Sequence, residues 1–418
     1  MTQPLSRLHK IVLLGALYLA QGLPYGFFTI ALPIFLRKSG FSLTAISATS
    51  LLYLPWVLKF LWAPYVDQIG DRKTWLLFLQ ISSVIGALLL SQTDIGSGYL
   101  LILIGAFAFN LIAATQDIVT DGTAVRLLDD RDRGLANGLQ VGAYRVGMTL
   151  GAGGLLLVHE RLGWSTMFLC MAALLVVTII PVLMLRSGAI PAASNTELPK
   201  FTELAMQWLK RLLVPGMLGF AALVFCFRFG DAMVATLLGP FMTDLKLSTE
   251  TIALMKGTVG NVTSIVGAII GGWFVFRVPR RTAILASGLG QGFTFIPYWL
   301  AAFGIGGVDL LWGATIVEGI VSTMATVALF TLMMDASDPE HAGTDYTLLA
   351  SLYVLVTSAG QFFASVIADI AMTETNVLAG YRVSFAIGTV LTALGTLALV
   401  FVLDRRPMPA RIAKVWRR

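Results

Sequence analysis

Long apolar runs constrain the fold of this chain more than any other feature. Its 418 residues include twelve runs of about 20–30 mainly apolar residues, each long enough to cross a bilayer as a helix. Only 12% of the residues are charged, whereas soluble domains carry about 25%. The sequence therefore predicts an all-α polytopic membrane protein with twelve transmembrane helices. The predicted limits are 11–36, 42–66, 74–93, 98–126, 134–158, 164–186, 213–243, 248–277, 282–303, 306–334, 343–372 and 381–403.

A polar segment divides these helices into two sets of six, and the two sets resemble each other. The turn at 63–74 aligns with the turn at 271–282, and each carries two adjacent basic residues. Two repeated halves are typical of secondary transporters that bind substrate near the middle of the membrane. The predicted domains are an N-terminal bundle at 1–186, a cytoplasmic linker at 187–212, a C-terminal bundle at 213–403 and a basic cytoplasmic tail at 404–418.

The distribution of Lys and Arg predicts the orientation of the chain. Of the 29 basic residues, 20 fall in the turns and ends on one side and only 5 on the other. Basic residues accumulate on the cytoplasmic side, so both termini and the linker are expected there. The same bias explains the net charge of +6, and no nucleic-acid partner is predicted. The three histidines lie at or outside the ends of the apolar runs, so we predict no metal site and no cofactor.

Charged residues inside the fourth and fifth runs are the first candidate site. Asp117 and Asp121 are four residues apart and share one helix face. At 1.5 Å per residue, Asp117 and Arg145 both lie roughly 14–17 Å above the inner surface, which predicts an Asp117–Arg145 ion pair. Lys59 and Asp121 form a second predicted pair nearer that surface. We interpret these four residues as a proton-coupling or gating group, with static structural clamps as the alternative.

The second half of the chain carries polar groups at a similar depth. Arg228 and Asp231 are three residues apart on helix 7 and are predicted to pair along one face. Glu318 lies on helix 10, and the repeat places Arg228 at the position of Gln21 on helix 1, close to Tyr25. We predict that these five residues bind substrate, because ionisable groups inside a membrane usually face a substrate path or a partner.

Motifs for enzymatic chemistry do not occur in the sequence. HExxH, the P-loop and the GxSxG serine elbow are all missing. We therefore predict a transporter that is not an enzyme and uses an ion gradient. Buried carboxylates can carry protons because desolvation disfavours their charged form. The predicted proton carriers are Asp117, Asp121, Asp231 and Glu318. A passive channel or a lipid scramblase is the alternative from another functional class.

The inner turn after the second run contains Asp67, Gly70, Arg72 and Lys73. At these four positions it resembles the signature of the major facilitator superfamily. Two positions depart from the signature: Ala63 replaces its first Gly, and Gln68 replaces the basic residue after the Asp. The resemblance implies the major facilitator fold of two six-helix bundles and alternating access to a site between them.

Three longer segments resemble particular branches of that superfamily. LKFLWAPYVD, TQDIVTD and GAYRVGM are similar to the AmpG muropeptide permeases, and YLAQGLPYGFFTIALPIFLRKSG is similar to the RhtX/FptX siderophore permeases. This resemblance implies a bacterial inner-membrane importer of a ferric siderophore. We expect the siderophore to be a pyochelin-like aromatic chelate, the protein to be a monomer and the proton gradient to drive import. Import of an anhydro-muropeptide is the alternative. The expected partners are a small-molecule substrate, the bilayer and protons.

Overall fold

The structure is a computed structural model, and it is almost entirely helical where it describes the chain. The described residues are 6–32, 35–36, 52, 54–93, 99–129, 132–185, 190, 206, 210, 213, 217–373, 376–405, 412 and 416. Most of the predicted start of helix 2 and of the predicted linker lies outside them. Within them, an isolated β-bridge between Thr373 and Asn376 is the only strand pairing.

Six helical stretches form in the described part of the first half. Their bounds are Arg7–Gly26 with a π-helical turn at Phe27–Ala31 (α1); Leu54–Leu58, a 3-10 turn at Lys59–Leu61 and Ala63–Gln68 (α2); Arg72–Leu90 (α3); Tyr99–Leu127 (α4); Arg133–Thr149 with a π-helical turn at Leu150–Gly154 (α5); and Leu155–Leu183. Gly163, at φ 84° and ψ 177°, breaks this last helix. There α5 ends and α6 begins, because glycine adopts positive φ without steric cost.

Six more stretches follow in the described part of the second half. Their bounds are Met217–Asp244 (α7); Thr249–Ile252, a π-helical turn at Ala253–Val259 and Gly260–Arg277 (α8); Arg280–Thr294 and Ile296–Ala301 (α9); Gly307–Ala336 (α10); Ala342–Ala371 after a 3-10 turn at Pro339–His341 (α11); and Leu378–Arg405 (α12). These limits agree closely with the apolar runs of the sequence, because the length of each run sets the length of its helix.

The helix surfaces expose large apolar side chains, as expected for contact with lipid. Phe78 is 62% exposed, Ile269 67% and Ile370 79%. Such exposure is unfavourable in water, whereas in a bilayer these side chains meet hydrocarbon. Eight helices, with Arg133–Leu183 counted as one, are long and apolar enough to span a membrane within the described residues. The predicted membrane-spanning architecture is thereby confirmed.

The described residues group into two compact units. The first unit lies within Met1–Asp129, Leu139–Leu204 and Ser337–Ser351, and the second within Asp130–Gly138, Ala205–Ala336 and Leu352–Arg418. Each has its own apolar core: the rings of Phe27 and Phe168 are 5.0 Å apart in the first, and those of Phe241 and Phe385 are 5.2 Å apart in the second. The predicted division of the chain at 187–212 stays a prediction.

Candidate functional site

A buried ion pair joins α2 to α4 in the first unit. Lys59 binds the Asp117 carboxylate, and the two side chains are only 3% and 11% exposed. The Lys59 ammonium also lies 5.6 Å from the centre of the Trp56 ring, an arrangement that favours a cation. Lys59 stands at the 3-10 turn that interrupts α2. The predicted Asp117–Arg145 pair is therefore wrong, because a lysine from α2 takes this carboxylate.

Asp121 is bound by neutral groups. The Tyr18 hydroxyl donates to Asp121 Oδ1 at 2.9 Å, and Gln140 Nε2 donates to the same oxygen at 3.4 Å. Asp121 itself is 1% exposed. The predicted Lys59–Asp121 ion pair is also wrong, because Lys59 pairs with the carboxylate one turn earlier on α4.

The remaining predicted residues of the first unit differ in their surroundings. Gln21 is buried and donates to Thr120 Oγ1 at 3.0 Å, so it joins α1 to α4. Tyr25 is half-buried, and its ring lies 5.7 Å from the ring of Trp56 and 5.5 Å from that of Tyr144. Of the two polar residues predicted on α1, Gln21 is buried and Tyr25 is partly exposed.

Arg145 is half-buried on α5, and no carboxylate of the described chain lies within ion-pair distance of its guanidinium. Glu318 is likewise half-buried on α10 and has no ion pair within the same described part. Their predicted roles stay predictions.

The predicted Arg228–Asp231 pair on α7 is confirmed, and other helices of the second unit enclose it. Asp231 is 2% exposed and also accepts a hydrogen bond from Gln291 Nε2 on α9. The same Gln291 nitrogen lies 3.2 Å from Ser322 Oγ on α10. The carboxylate is thus held from three helices, α7, α9 and α10, either directly or through Gln291.

Arg228 is the accessible member of this pair. Its side chain is 16% exposed, its Nε donates to Thr357 Oγ1 at 3.2 Å, and its guanidinium carbon lies 4.8 Å from the centre of the Tyr353 ring. Both of these neighbours lie on α11. A guanidinium oriented in this way still has N–H donors for an additional anion, because arginine carries five.

The inner-turn motif forms a buried ionic cluster in the first unit. Asp67 Oδ1 accepts from Arg72 at 2.5 Å and from Arg126 at 2.7 Å, while Oδ2 accepts from the Thr344 backbone N–H at 3.1 Å. Gly70 has φ 72°, which suits the tight turn between α2 and α3. Asp67 therefore connects α2, α3 and α4 to the first turn of α11.

Lys73, the last residue of the motif, binds the end of α6. Its ammonium donates to the backbone carbonyls of Leu183, at 3.3 Å, and Leu185. These carbonyls belong to a helix C-terminus, which a cation stabilises. The motif thus ties four helices of the first half together.

A second buried cluster was not predicted from the sequence. Asp335, at the end of α10 and 0% exposed, accepts from Arg133 at 2.9 Å and from Arg280 at 2.8 Å. All three residues belong to the second unit. The repeat offered a signal for this cluster. Arg280 aligns with Arg72, but the residue that aligns with Asp67, the partner of Arg72, is the uncharged Val275. Arg280 therefore needs a carboxylate from another part of the chain.

The arrangement suits transport of a polar solute. Ionisable groups within a membrane protein are costly and mark substrate or ion pathways. No group of three or more potential metal ligands occurs among the residues that the structure describes. Membrane-spanning helices that carry buried ion pairs are typical of secondary transporters.

Comparison with known proteins identifies the family. The family model of the Major Facilitator Superfamily matches residues 14–360. The chain belongs to this superfamily. It is 28% identical over 348 residues to the anhydromuropeptide permease of Escherichia coli K12, a match covering 80% of this chain and 69% of that protein. It is 23% identical over 426 residues to the putative transporter AmpG 4 of Rickettsia conorii, covering 96% and 97%.

Solved structures agree on the fold. The proton:xylose symporter XylE superposes with a TM-score of 0.73 at 12% identity, over 99% of this chain and 100% of that one. The predicted major facilitator fold and the AmpG-like resemblance are confirmed, and the family and its structural neighbours are transporters, as predicted. The membrane-spanning fold supports a place in the bacterial inner membrane, while the orientation of the termini stays a prediction. The particular closeness to RhtX/FptX permeases is not shown.

Proposed function

We propose that this chain imports a muropeptide, a cell-wall fragment that joins sugar to peptide, across the bacterial inner membrane. One observation carries the proposal: 80% of the chain is similar to a protein named anhydromuropeptide permease. This substrate was the alternative in the sequence analysis. The ferric siderophore that was preferred there has no support from the relatives described above.

The chemistry of the described residues fits such a substrate. The peptide part carries carboxylates, and the half-buried guanidinium of Arg228 can bind one through its remaining donors. The sugar part offers an apolar ring face and hydroxyl groups. Tyr25 and Trp56, whose rings meet edge to face and remain half-buried, provide an aromatic surface for it. A small aromatic ferric chelate would use the aromatic surface but has fewer groups for the arginines.

The mechanism we propose is alternating access driven by the proton gradient. A buried carboxylate that has no cation of its own can bind a proton when the site opens to one side and release it when the site opens to the other. Substrate binding would involve Arg228 with Asp231 and Glu318, and gating or proton coupling the group of Lys59, Asp117, Asp121 and Arg145.

Counterflow in proteoliposomes tests the proposed substrate. Vesicles loaded with unlabelled anhydro-muropeptide should take up the labelled compound in a saturable manner, whereas a ferric pyochelin-type chelate should not compete. A passive channel would give neither saturation nor exchange. Saturable exchange of the iron chelate without exchange of the muropeptide would overturn the proposal.

A matched pair of variants tests the arginine. R228A should reduce counterflow at least tenfold, because the substrate carboxylate loses its cation, and R228K should recover part of the activity. R277A removes an exposed arginine at the end of α8 and should leave counterflow unchanged. Wild-type exchange in R228A at equal protein content would contradict a binding role for Arg228.

A further inference from the structure

Two carboxylates share one ammonium in the first unit. Lys59 pairs with Asp117, and Asp121 lies one helical turn further along α4, near enough for both of those charges to act on it. Lys59 is 2% exposed and Asp121 is 1% exposed. If all three side chains were ionised, the group would carry one uncompensated negative charge away from water. Such a charge is strongly disfavoured unless a cation or a proton neutralises it.

The surroundings of Asp121 supply no second cation in the described part of the chain. Tyr18 from α1 and Gln140 from α5 donate to it, Asp117 lies beside it on α4, and Tyr346 from α11 lies close to Tyr18. The two tyrosines and the glutamine are neutral at ordinary pH, and Asp117 adds a negative charge. The next cation along α4, Arg126, is already bound to Asp67. A proton is therefore the group that balances the charge.

The hydrogen bonds of Asp121 can accommodate that proton. Tyr18 and Gln140 both donate to Asp121 Oδ1 in the present arrangement. The other amide atom, Gln140 Oε1, is buried without a hydrogen-bond partner. A hydroxyl and an amide can each accept as well as donate, so Asp121 stays hydrogen-bonded with or without a proton. A site of this kind can bind and release a proton without leaving the Asp121 carboxyl group buried and without a hydrogen bond.

We propose that Asp121 is the residue that binds the transported proton, with the Lys59–Asp117 pair as its electrostatic partner. This inference rests on the proton-driven import proposed above and assigns its proton site. A proton from water bonds to a carboxylate oxygen of Asp121 and later leaves from the same oxygen to water on the other side. No electrons are transferred, and the charge of the group changes by one at each step.

The geometry also shows how the proton can act on the helices. Once deprotonated, Asp121 competes with Asp117 for the ammonium of Lys59. Lys59 stands on the 3-10 turn at Lys59–Leu61, within α2. Short 3-10 segments inside a helix often mark hinges, because their hydrogen bonds are weaker. Movement of Lys59 toward Asp121 would therefore act where α2 deforms most easily.

Other carboxylates in the membrane-spanning helices fit this role less well. Asp231 has its own arginine and accepts from Gln291, so it is neutralised without a proton. Glu318 is only half-buried, so solvation can support its charge. Asp121 combines burial with the absence of a cation of its own in the described chain.

Infrared spectroscopy of the purified protein in lipid tests the proton directly and needs no substrate. We expect wild type at pH 7 to show the C=O stretch of a protonated, buried carboxyl group. D121N should lack this band, whereas D309N, which alters an exposed aspartate in the first turn of α10, should retain it. Either an unchanged band in D121N or no such band in wild type would overturn the proposal.

Transport in proteoliposomes gives the second test. With labelled anhydro-muropeptide, D121N should keep counterflow within about twofold of wild type, because exchange requires no net proton movement. Accumulation driven by an imposed pH gradient should fall at least tenfold, while D309N should accumulate normally. Wild-type accumulation by D121N would refute the assignment. If wild-type protein exchanges no muropeptide, the proposed substrate fails, and the infrared comparison still decides whether Asp121 holds the proton.

Discussion

Two adjacent arginines at the start of α9 should differ sharply in their contribution to stability. Arg280 is buried, donates to Asp335 at 2.8 Å and donates to the Val275 carbonyl at 2.8 Å. Arg281 has a side chain that is 41% exposed and pairs with Asp404 at 2.9 Å. Both are Arg–Asp pairs in the same unit, one residue apart on the same helix. Burial is the main difference between them.

The expected magnitudes follow from that difference. R280A leaves Arg133 on the buried carboxylate but removes two hydrogen bonds of a charged donor, to Asp335 and to the Val275 carbonyl, and such bonds contribute about 1.5–3 kcal/mol each. R281A removes an exposed pair, and exposed pairs contribute about 0.2–1 kcal/mol. We therefore expect R280A to lower the free energy of unfolding by about 3–6 kcal/mol and R281A by less than about 1 kcal/mol.

Equilibrium unfolding of the purified variants in mixed micelles, followed by tryptophan fluorescence, measures both values. A double-mutant cycle with D335N isolates the interaction, because that variant removes the carboxylate charge while keeping its shape. We expect a coupling energy above about 1.5 kcal/mol between Arg280 and Asp335, within the range for groups in one buried network. Equal losses in R280A and R281A, or additive effects of R280A and D335N, would refute the reasoning.

Three further predictions concern other parts of the molecule. W416A should lower the free energy of unfolding by about 3–5 kcal/mol, because the side chain is 1% exposed and donates to Asp404 at 3.0 Å; an unchanged thermal midpoint would contradict its anchoring role. G395L should lower the free energy of unfolding by about 1–3 kcal/mol or more, because a Cβ at this position would overlap the Cys226 carbonyl oxygen. G313L, at a glycine with open space around it, should leave the free energy of unfolding unchanged. Y18F should shift the alkaline limb of pH-dependent accumulation upward, because the Asp121 carboxylate loses its hydroxyl donor; an unaltered pH profile would exclude Tyr18 from the proton site.

The helices could be predicted from the sequence because their determinants are local. The length of each apolar run sets the length of its helix. Gly163 interrupts the helix between the predicted end of helix 5 at 158 and the predicted start of helix 6 at 164. The Arg228–Asp231 pair was predictable for the same reason, since two residues three positions apart on a helix face the same way. In both cases the relevant distance is set by the geometry of one helix.

The pairing of Asp117 could not be predicted in this way. Depth along a helix places charges at one level, but it does not give the rotation of each helix or the identity of its neighbour. Lys59 also reaches Asp117 from an irregular turn, where the straight-helix rise of 1.5 Å does not apply. The Arg133–Asp335 contact joins residues 202 positions apart, and only the packing of α5 against the end of α10 brings them together.

The two inner turns show how the repeats conserve one interaction and exchange another. Arg72 and Arg280 occupy aligned positions, begin α3 and α9, and each donates to the carbonyl of the aligned residue, Asp67 or Val275. In the first half that residue also supplies the carboxylate. In the second half it is uncharged, and Asp335 supplies the carboxylate from the end of α10. The arginine therefore holds the turn closed in both repeats, while the position of its acid decides which additional helix the turn binds.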